Sequence, residues 1–237
     1  MHFMKSVSQK IARHFKRLLA QVLRRVQKTP LLPEIKCVRP YTMGESDALN
    51  NLFRLGQQVA RSGIPGDHVE CGTYHGGSAA ATALGLGPKI RIMWLYDSFE
   101  GLPEPKAVDG PGAVQWTGGC VGTVERLHEI LAHINVPKHH INVRKGWFQD
   151  TFCAPLPEKI ALLHIDADWY DSVKLALDTF YDRVAEGGII ILDDFGFWEG
   201  CREAFFDFCA QRKIKPLLER SGVAQAYWVK GKTHNRS

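Results

Sequence analysis

Residues 68–84, HVECGTYHGGSAAATAL, hold the pattern that decides the fold. A short strand-like run at 68–71 leads into three glycines, Gly72, Gly76 and Gly77, and then into an alanine-rich stretch near 78–84 that is typical of a helix. A strand, a glycine-rich turn and a helix in this order form the opening unit of a parallel α/β sheet. Glycines at such a turn let a ligand approach the backbone closely, so the stretch also predicts a binding site.

The alternation of strands and helices continues on both sides of this unit. An amphipathic helix begins at residue 46, strands are predicted at 90–96, 141–144, 160–165 and 188–192, and helices at 123–134, 172–184 and 200–212. Two last strands, 215–219 and 224–229, flank Ser221 and Gly222 without a helix between them, which predicts a hairpin. We therefore expect an α/β fold with a mostly parallel seven-stranded sheet and an antiparallel last strand, the plan of a Rossmann-like class I methyltransferase rather than of a dehydrogenase.

The first two strands end in acids that favour a nucleoside ligand. The glycine turn lacks the GxGxxG spacing, and Glu70 would repel a pyrophosphate but suits a cationic ligand that carries an amino acid, such as S-adenosylmethionine (SAM). Asp97 ends the next strand, where related folds place a carboxylate on the ribose hydroxyls. An ordinary turn at the glycines, and an Asx turn or helix cap at Asp97, are the alternatives. Phe148, after a later strand, is interpreted as a wall for adenine or as an apolar core residue.

Four aspartates follow two further strands. Asp166 and Asp168 come after the strand at 160–165, and Asp193 and Asp194 after the strand at 188–192. Neighbouring parallel strands lie about 4.8 Å apart and end at the same edge, so Asp166, Asp193 and Asp194 are expected to share one cation. Unpaired carboxylates would raise one another's pKa, whereas a divalent ion offsets the repulsion, and an all-oxygen donor set favours Mg²⁺.

Asp168 is the one carboxylate of this cluster that is not assigned to the cation, and it is interpreted as a base. It is expected to take the proton from a substrate hydroxyl that the cation has acidified. The alternative is that Asp168 and Asp193 only cap helices. His164, one residue before Ile165 on the strand, is interpreted as a core histidine rather than as a base. The Pro- and Gly-rich residues 101–119 are long enough for a lid that excludes water, with an inert connecting loop as the alternative.

Composition excludes several classes of protein. With 237 residues, 45% hydrophobic and 23% charged, the chain has an ordinary globular profile, and its apolar runs are shorter than the roughly 20 residues of a membrane-spanning helix. The net charge of +5 comes from residues 1–33, which hold eight Lys or Arg and no Asp or Glu. The mildly acidic remainder argues against a nucleic-acid-binding groove. Six cysteines without a CxxC pair, and no signal peptide, favour free thiols in a cytoplasmic protein.

Two regions are expected: a basic amphipathic N-terminal helix with a Pro-rich hinge, residues 1–33, and a methyltransferase domain, residues 34–237. Residues 5–28 alternate apolar and basic positions at helical spacing, and Pro30 and Pro33 stop the helix. Reversible contact with an anionic membrane surface is one interpretation of this face. A helix that packs on the domain or across a dimer is the second, and a transit peptide is the third.

In order and spacing, the motifs resemble those of the macrocin O-methyltransferase family, which are SAM- and Mg²⁺-dependent sugar O-methyltransferases of natural-product pathways. The likeness runs from about Tyr41 to Lys230. It rests on Tyr41-Thr42-Met43, the loop 70–77, Asp97-Ser98-Phe99, residues 146–151, Asp166-Ala167-Asp168, and Gly187-Gly188 leading to Asp193-Asp194. The family usually has Thr, Val, Arg and Gly where this chain has Cys71, Thr73, His75 and Ala167, which bears on the substrate rather than on the cofactor.

The resemblance implies a role for each motif. The SAM site would be lined by Thr42, Glu70, Gly72, Thr73, Tyr74, Asp97, Ser98 and Phe148. Asp166, Asp193 and Asp194 would hold Mg²⁺, with Asp168 as the base, and the protein would form a homo-oligomer that acts on a small-molecule hydroxylated acceptor. Two other functions stay open: a catechol-type O-methyltransferase, and a non-catalytic membrane-surface or partner-binding protein on the same fold.

Overall fold

Strands and helices form in the predicted order in a computed structural model that describes residues 29–234. The strands are β1 (Asp67–Cys71), β2 (Met93–Asp97), β3 (Ile141–Lys145), β4 (Ile160–Ile165), β5 (Val184–Leu192), β6 (Glu219–Ser221) and β7 (Gln225–Val229). The helices are α1 (Ser46–Ser62), α2 (Gly77–Leu86), α3 (Val124–His133), α4 (Phe148–Thr151), α5 (Tyr170–Phe180) and α6 (Glu199–Arg212). The predicted N-terminal helix lies outside the described residues.

The strands form one seven-stranded sheet in the order β3-β2-β1-β4-β5-β7-β6. The first five strands are mutually parallel, and β7 is antiparallel to both β5 and β6. This confirms the predicted plan of a mostly parallel sheet closed by an antiparallel last strand. Within the described range no helix has the length and apolar character needed to cross a membrane.

Helices cover both faces of the sheet because the central strands are apolar on both sides. On one face α1, α2 and α3 bury Leu52, Ala80 and Ile130 against strand residues that include Leu95 and Ile191. On the other face α5 and α6 contribute the side chains that pack against Val69, Leu163 and Ile190: Val173, Leu177, Phe180, Phe205 and Phe208. Because both faces of the sheet are packed against helices, the ends of the strands that carry the carboxyl-edge loops are held in place.

Several predicted boundaries differ from the observed ones; β2, for example, begins at Met93 rather than at residue 90. The helix predicted at 172–184 ends at Phe180 and continues as a single 3₁₀ turn, so β5 begins at Val184 instead of 188. β6 covers Glu219–Ser221 rather than 215–219. Its position follows from the hairpin, because Ser221 pairs with Gln225 across a short turn in which Gly222 has a φ of +60°. Strand pairing therefore begins next to the turn, and residues 215–218 stay outside the ladder.

The Pro- and Gly-rich segment 101–119 is folded back on the domain. Its two ends are joined by backbone hydrogen bonds from Leu102 to Gly119 and from Gly118 to Leu102. The indole of Trp169 donates to the Pro103 carbonyl at 2.9 Å, and the buried Asp109 carboxylate accepts the backbone N–H of Tyr170 at the start of α5. Contacts with the domain thus hold the segment at both its ends and its middle. That the segment acts as a lid stays a prediction.

Candidate active site

A cavity of about 340 Å³ opens at the carboxyl edge of the sheet. The strand register lines up the ends of β1, β4 and β5, since Cys71 pairs with Ile165 and Ile165 with Leu192. The residues that follow these strands, Gly72, Asp166 and Asp193, therefore lie side by side and all line the cavity. This is the edge at which parallel α/β sheets bind ligands.

Gly72 brings the glycine turn against the strand that carries the aspartates. Its φ is +87°, and a Cβ at this position would overlap the carbonyl oxygen of Asp166. Its N–H donates to the Tyr96 carbonyl at 2.8 Å, and the N–H of Asp166 donates to the Cys71 carbonyl at 2.8 Å. Only glycine permits this close approach, so Gly72 fixes the distance between the turn and the aspartates.

Gly72→Ala is expected to reduce the free energy of unfolding by about 3 kcal/mol, because the methyl group meets backbone that cannot move away and the φ is strained. Gly63→Ala is the matched control. Gly63 has a similar φ of +65°, but a Cβ there meets nothing within 4 Å, so we expect a loss of about 1 kcal/mol. Urea unfolding of both variants measures the difference, and equal losses would contradict the close approach at Gly72.

Asp97, at the end of β2, organises the glycine turn. Its Oδ2 accepts the backbone N–H groups of Thr73 and Tyr74, both at 2.8 Å, and its Oδ1 accepts the N–H of Phe99 at 2.7 Å. The last bond is the Asx turn that the sequence left as an alternative. Asp97 also lines the cavity, so it combines this turn with a position from which a ligand hydroxyl can be bound.

Most of the residues that the resemblance assigns to the cofactor line the cavity, but Glu70 does not. The Glu70 side chain is 0% exposed, because it points from β1 into the core between the sheet and α2. Its Oε1 accepts the Ser78 hydroxyl at 2.6 Å, and its Oε2 lies 3.3 Å from Nδ1 of His164. The structure thus places Glu70 beneath the site. The predicted cofactor residues that do line the cavity are Thr42, Gly72, Thr73, Tyr74, Asp97, Ser98 and Phe148.

The four aspartates converge on one side of the cavity. Asp166, Asp168 and Asp194 offer carboxylate oxygens that lie within 4.8 Å of one another, and Asp166 and Asp193 form a second such group with His164. The predicted ligands Asp166, Asp193 and Asp194 are thus divided between two groups that share Asp166. Asp194 Oδ2 is buried and has no hydrogen-bond partner in the described part of the chain. An unpartnered carboxylate oxygen among other carboxylates fits a hard divalent cation such as Mg²⁺.

The pKa values of the four aspartates fit a site for a divalent cation. Burial and the neighbouring carboxylates raise the pKa of both Asp166 and Asp194 well above the usual value. Burial also raises the pKa of Asp168 to about 6, although the hydrogen bond from Trp198 acts in the opposite direction. Burial would raise the pKa of Asp193 as well, but the hydrogen bond and charge of His164 outweigh it and lower this pKa. Carboxylates in this arrangement repel one another, and a cation would relieve the repulsion.

Three of the six non-glycine residues with a positive φ in the described chain line the same cavity. Tyr74, Cys120 and Asp168 line it and have φ values of +50°, +58° and +53°, in the left-handed region that side-chain-bearing residues rarely adopt. Such strain costs on the order of 1–3 kcal/mol per residue and is typical of functional sites. The indole of Trp198 donates to Asp168 Oδ1 at 2.9 Å and so fixes the orientation of this carboxylate.

Apolar side chains form the outer wall of the cavity. Met43 and Phe197 are each 58% exposed, and the rings of Trp116 and Trp198 meet edge to face at 6.5 Å. Phe148 lines the cavity and also stacks on Phe152 at 4.9 Å, so it packs with core residues at the wall of the site, and its contact with adenine stays a prediction. These exposed rings provide a surface for an apolar or ring-shaped ligand.

Sequence reasoning missed several residues of the site. Gln225 donates to Asp193 Oδ1 at 2.7 Å, and Ser78 lines the cavity while it binds Glu70. The only sequence signal for Gln225 is an amide in a strand whose alternate positions are apolar, and it gives no indication of the partner. The contact of Trp198 with Asp168 depends on the path of the chain after β5, which no local pattern specifies.

The fold and the site together define a Rossmann-like methyltransferase. The chain belongs to the family described as macrocin O-methyltransferase (TylF), whose family model matches residues 13–230. The resemblance noted in the sequence is therefore confirmed, and the protein is an O-methyltransferase.

Two relatives illustrate the range of the family. The chain is 30% identical over 197 residues to 8-demethyl-8-(2,3-dimethoxy-alpha-L-rhamnosyl)-tetracenomycin-C 4'-O-methyltransferase of Streptomyces olivaceus, across 79% of this chain and 75% of that protein. It is 28% identical to mycinamicin III 3''-O-methyltransferase of Micromonospora griseorubida, across 79% and 78%.

Solved structures show the same fold. The O-methyltransferase NovP superposes with a TM-score of 0.73 at 24% identity, across 81% of this chain and 83% of that one. The calicheamicin methyltransferase CalS11 superposes with a TM-score of 0.65 at 22% identity, across 90% and 91%.

Proposed function

We propose that this protein transfers a methyl group from SAM to a hydroxyl of a sugar, as part of a glycosylated natural product or a glycan, with the help of Mg²⁺. The observation that carries the proposal is the convergence in one cavity of a glycine turn bound to Asp97 and a cluster of aspartates. The relatives named above support the acceptor class, because one is named for a rhamnosyl-tetracenomycin and the other for mycinamicin III.

The cofactor side of the cavity is formed by the turn and its neighbours. We assign SAM to the wall that contains Gly72, Thr73, Tyr74, Asp97 and Phe148. When bound there, SAM would supply an electrophilic methyl group attached to its sulfonium sulfur. Once that methyl group is transferred, the remainder of the cofactor is a neutral thioether. Thr42 and Ser98 complete this wall, and Glu70 supports it from beneath through Ser78.

The metal side is formed by the aspartates. We assign Asp166, Asp193 and Asp194 as the residues that would hold Mg²⁺, as the buried, unpartnered Oδ2 of Asp194 suggests. When bound, the cation supplies Lewis acidity that lowers the pKa of an acceptor hydroxyl. Asp168 lies in the same cluster, and we assign it as the base that takes the hydroxyl proton. Its raised pKa brings it closer to neutral pH, which suits this role.

Trp198→Phe is expected to lower kcat by about tenfold, because it removes one hydrogen bond to a charged carboxylate while the ring remains. The KM for SAM should change little, since Trp198 contacts Asp168 rather than the turn. Trp116→Phe, in the same aromatic wall but without a bond to an aspartate, is the control. If both variants have the same kcat, Trp198 does not orient the base.

Acceptor profiling tests the proposal. Purified full-length protein is incubated with methyl-labelled SAM and Mg²⁺, and transfer to rhamnosylated and other deoxysugar glycosides is compared with transfer to catechols. We expect the sugars to be methylated and the reaction to stop when the cation is chelated. Methylation of catechols alone would replace the sugar assignment with a catechol-type activity, and transfer that persists in chelator would overturn the role of Mg²⁺.

The remaining assignments rest on the sequence. We propose that residues 5–28 make peripheral contact with anionic membrane, that the chain forms a homo-oligomer, and that it acts in the cytoplasm. Co-sedimentation with anionic vesicles should be stronger for the full chain than for a chain that starts at Leu31, because eight basic residues are lost. Equal binding of the two chains would discard the membrane contact.

A further inference from the structure

A continuous row of buried polar side chains runs under the floor of the cavity. It begins at Ser78 on the cofactor side, passes through Glu70 and His164, and reaches Asp193 and Gln225 on the side of the aspartates. The two ends of the row at Ser78 and Asp193 line the cavity, whereas Glu70, His164 and Gln225 are 0% exposed. Buried polar groups are kept in a core at a cost, so a row that joins two walls of one site calls for an explanation.

His164 is the central member of this row. It lies on β4, opposite Glu70 on β1 and Ile191 on β5. Its Nε2 is 3.2 Å from Asp193 Oδ1, in hydrogen-bond geometry. Its Nδ1 is 3.3 Å from Glu70 Oε2, within salt-bridge distance, but the two atoms do not have the geometry of a hydrogen bond. One imidazole thus contacts both the Asp193 carboxylate, which lines the cavity, and the Glu70 carboxylate, which is buried beneath it.

The bonds to Asp193 are unevenly distributed between its two oxygens. Oδ1 accepts from both His164 Nε2 and Gln225 Nε2, whereas Oδ2 accepts no hydrogen bond from residues 29–234. Gln225 is itself fixed by the amide of Asn51 on α1. Two donors on one oxygen fix the rotation of the carboxylate and leave the second oxygen unbonded.

A second buried histidine provides the contrast. His68 lies two residues before Glu70 on β1 and is also 0% exposed, with its Nε2 3.7 Å from Glu70 Oε2. Neither of its ring nitrogens makes a hydrogen bond within the described chain. It shares the burial of His164 and the proximity to Glu70, but it has no contact with Asp193.

We propose that His164 is a positioning residue that, together with Gln225, holds Asp193 so that one of its oxygens is free for the cation, and that it joins this carboxylate to Glu70 under the glycine turn. The inference rests on the proposed Mg²⁺ site. Residues behind a metal ligand typically change metal affinity about 10- to 100-fold when they are replaced.

Paired amide substitutions separate the two contacts of His164. The amide nitrogen of glutamine replaces Nε2, so His164→Gln keeps a donor to Asp193. The amide of asparagine falls near Nδ1, so His164→Asn keeps only the side toward Glu70. His68→Asn is the matched control for the loss of a buried histidine. Calorimetric titration of each folded full-length variant with Mg²⁺ at one fixed pH, with thermal melting as the check on folding, gives the readout.

We expect His164→Asn to weaken the Kd for Mg²⁺ by at least about tenfold, and His164→Gln and His68→Asn to stay within about threefold of wild type. Gln225→Met, which removes the second donor to Oδ1, should weaken Mg²⁺ binding in the same direction and serves as the test if a His164 variant does not fold. Wild-type affinity in His164→Asn or Gln225→Met, or an equal loss in His68→Asn, would overturn the inference. If the wild-type protein itself does not bind Mg²⁺, the proposed metal site fails first.

Discussion

Asp194→Ala is expected to abolish Mg²⁺ binding and to lower kcat/KM for methyl transfer by roughly 10³-fold or more, because Lewis acidity at the reacting oxygen is worth several kcal/mol. Asp194 is the aspartate whose Oδ2 is buried and has no hydrogen-bond partner among the described residues, and its pKa is raised by burial and by Asp168 and Asp193. Since no side chain or backbone group in residues 29–234 binds this oxygen, we assign it to the cation.

The control for this variant is Asp182→Ala. Asp182 forms an exposed ion pair with Arg212, outside the cavity, so its removal should leave Mg²⁺ binding and turnover unchanged. Removal of an unpaired buried carboxylate also relieves repulsion, so Asp194→Ala should unfold at the same or a higher temperature than wild type without Mg²⁺. Unchanged Mg²⁺ affinity in Asp194→Ala would contradict the assignment of this residue as a ligand.

Asp168→Asn is expected to lower kcat by about 10²- to 10⁴-fold, the range typical of the loss of a general base. Asparagine has nearly the same shape and keeps an oxygen that can accept the Trp198 indole N–H, so the geometry of the site should persist. The affinities for SAM and Mg²⁺ should stay within a fewfold of wild type, which separates the loss of a base from the loss of a ligand.

Single-turnover measurements with saturating SAM and acceptor provide the readout for Asp168→Asn. A wild-type rate would show that the hydroxyl proton goes to another group or to water. A large loss of Mg²⁺ affinity would instead place Asp168 among the metal ligands, as its proximity to Asp166 and Asp194 permits.

The fold was predictable because the strands differ clearly from the segments around them. Apolar runs such as 160–165 and 188–192 predict buried strands, and the lack of a helix between the last two strands predicts the hairpin. The placement of β1 between β2 and β4 depends on crossover packing rather than on any local pattern. The predicted start of β6 at residue 215 was wrong because the turn at Gly222 sets the register of the hairpin. Residues 215–218 have no less β propensity than the residues of the strand, so propensity does not locate its start.

The site was predictable to the extent that it follows the ends of strands. Asp166, Asp193 and Gly72 directly follow parallel strands, so their meeting at one edge is a consequence of the topology. The direction of Glu70 was not anticipated. Successive side chains of a strand point to opposite faces of the sheet. Val69 and Cys71 face one core, so the Glu70 carboxylate points to the other face, where it lies beside His164. Partners that are far apart in sequence, such as Gln225 and Asp193, require the three-dimensional structure.

Calorimetric titration of the full-length protein with SAM, in the presence and absence of Mg²⁺, tests the central claim most directly. We predict saturable binding of one SAM per chain in the wild-type protein, and Mg²⁺ binding that is lost in Asp166→Ala and Asp193→Ala. Absence of SAM binding under both conditions would contradict the assignment of this cavity as the site of methyl transfer.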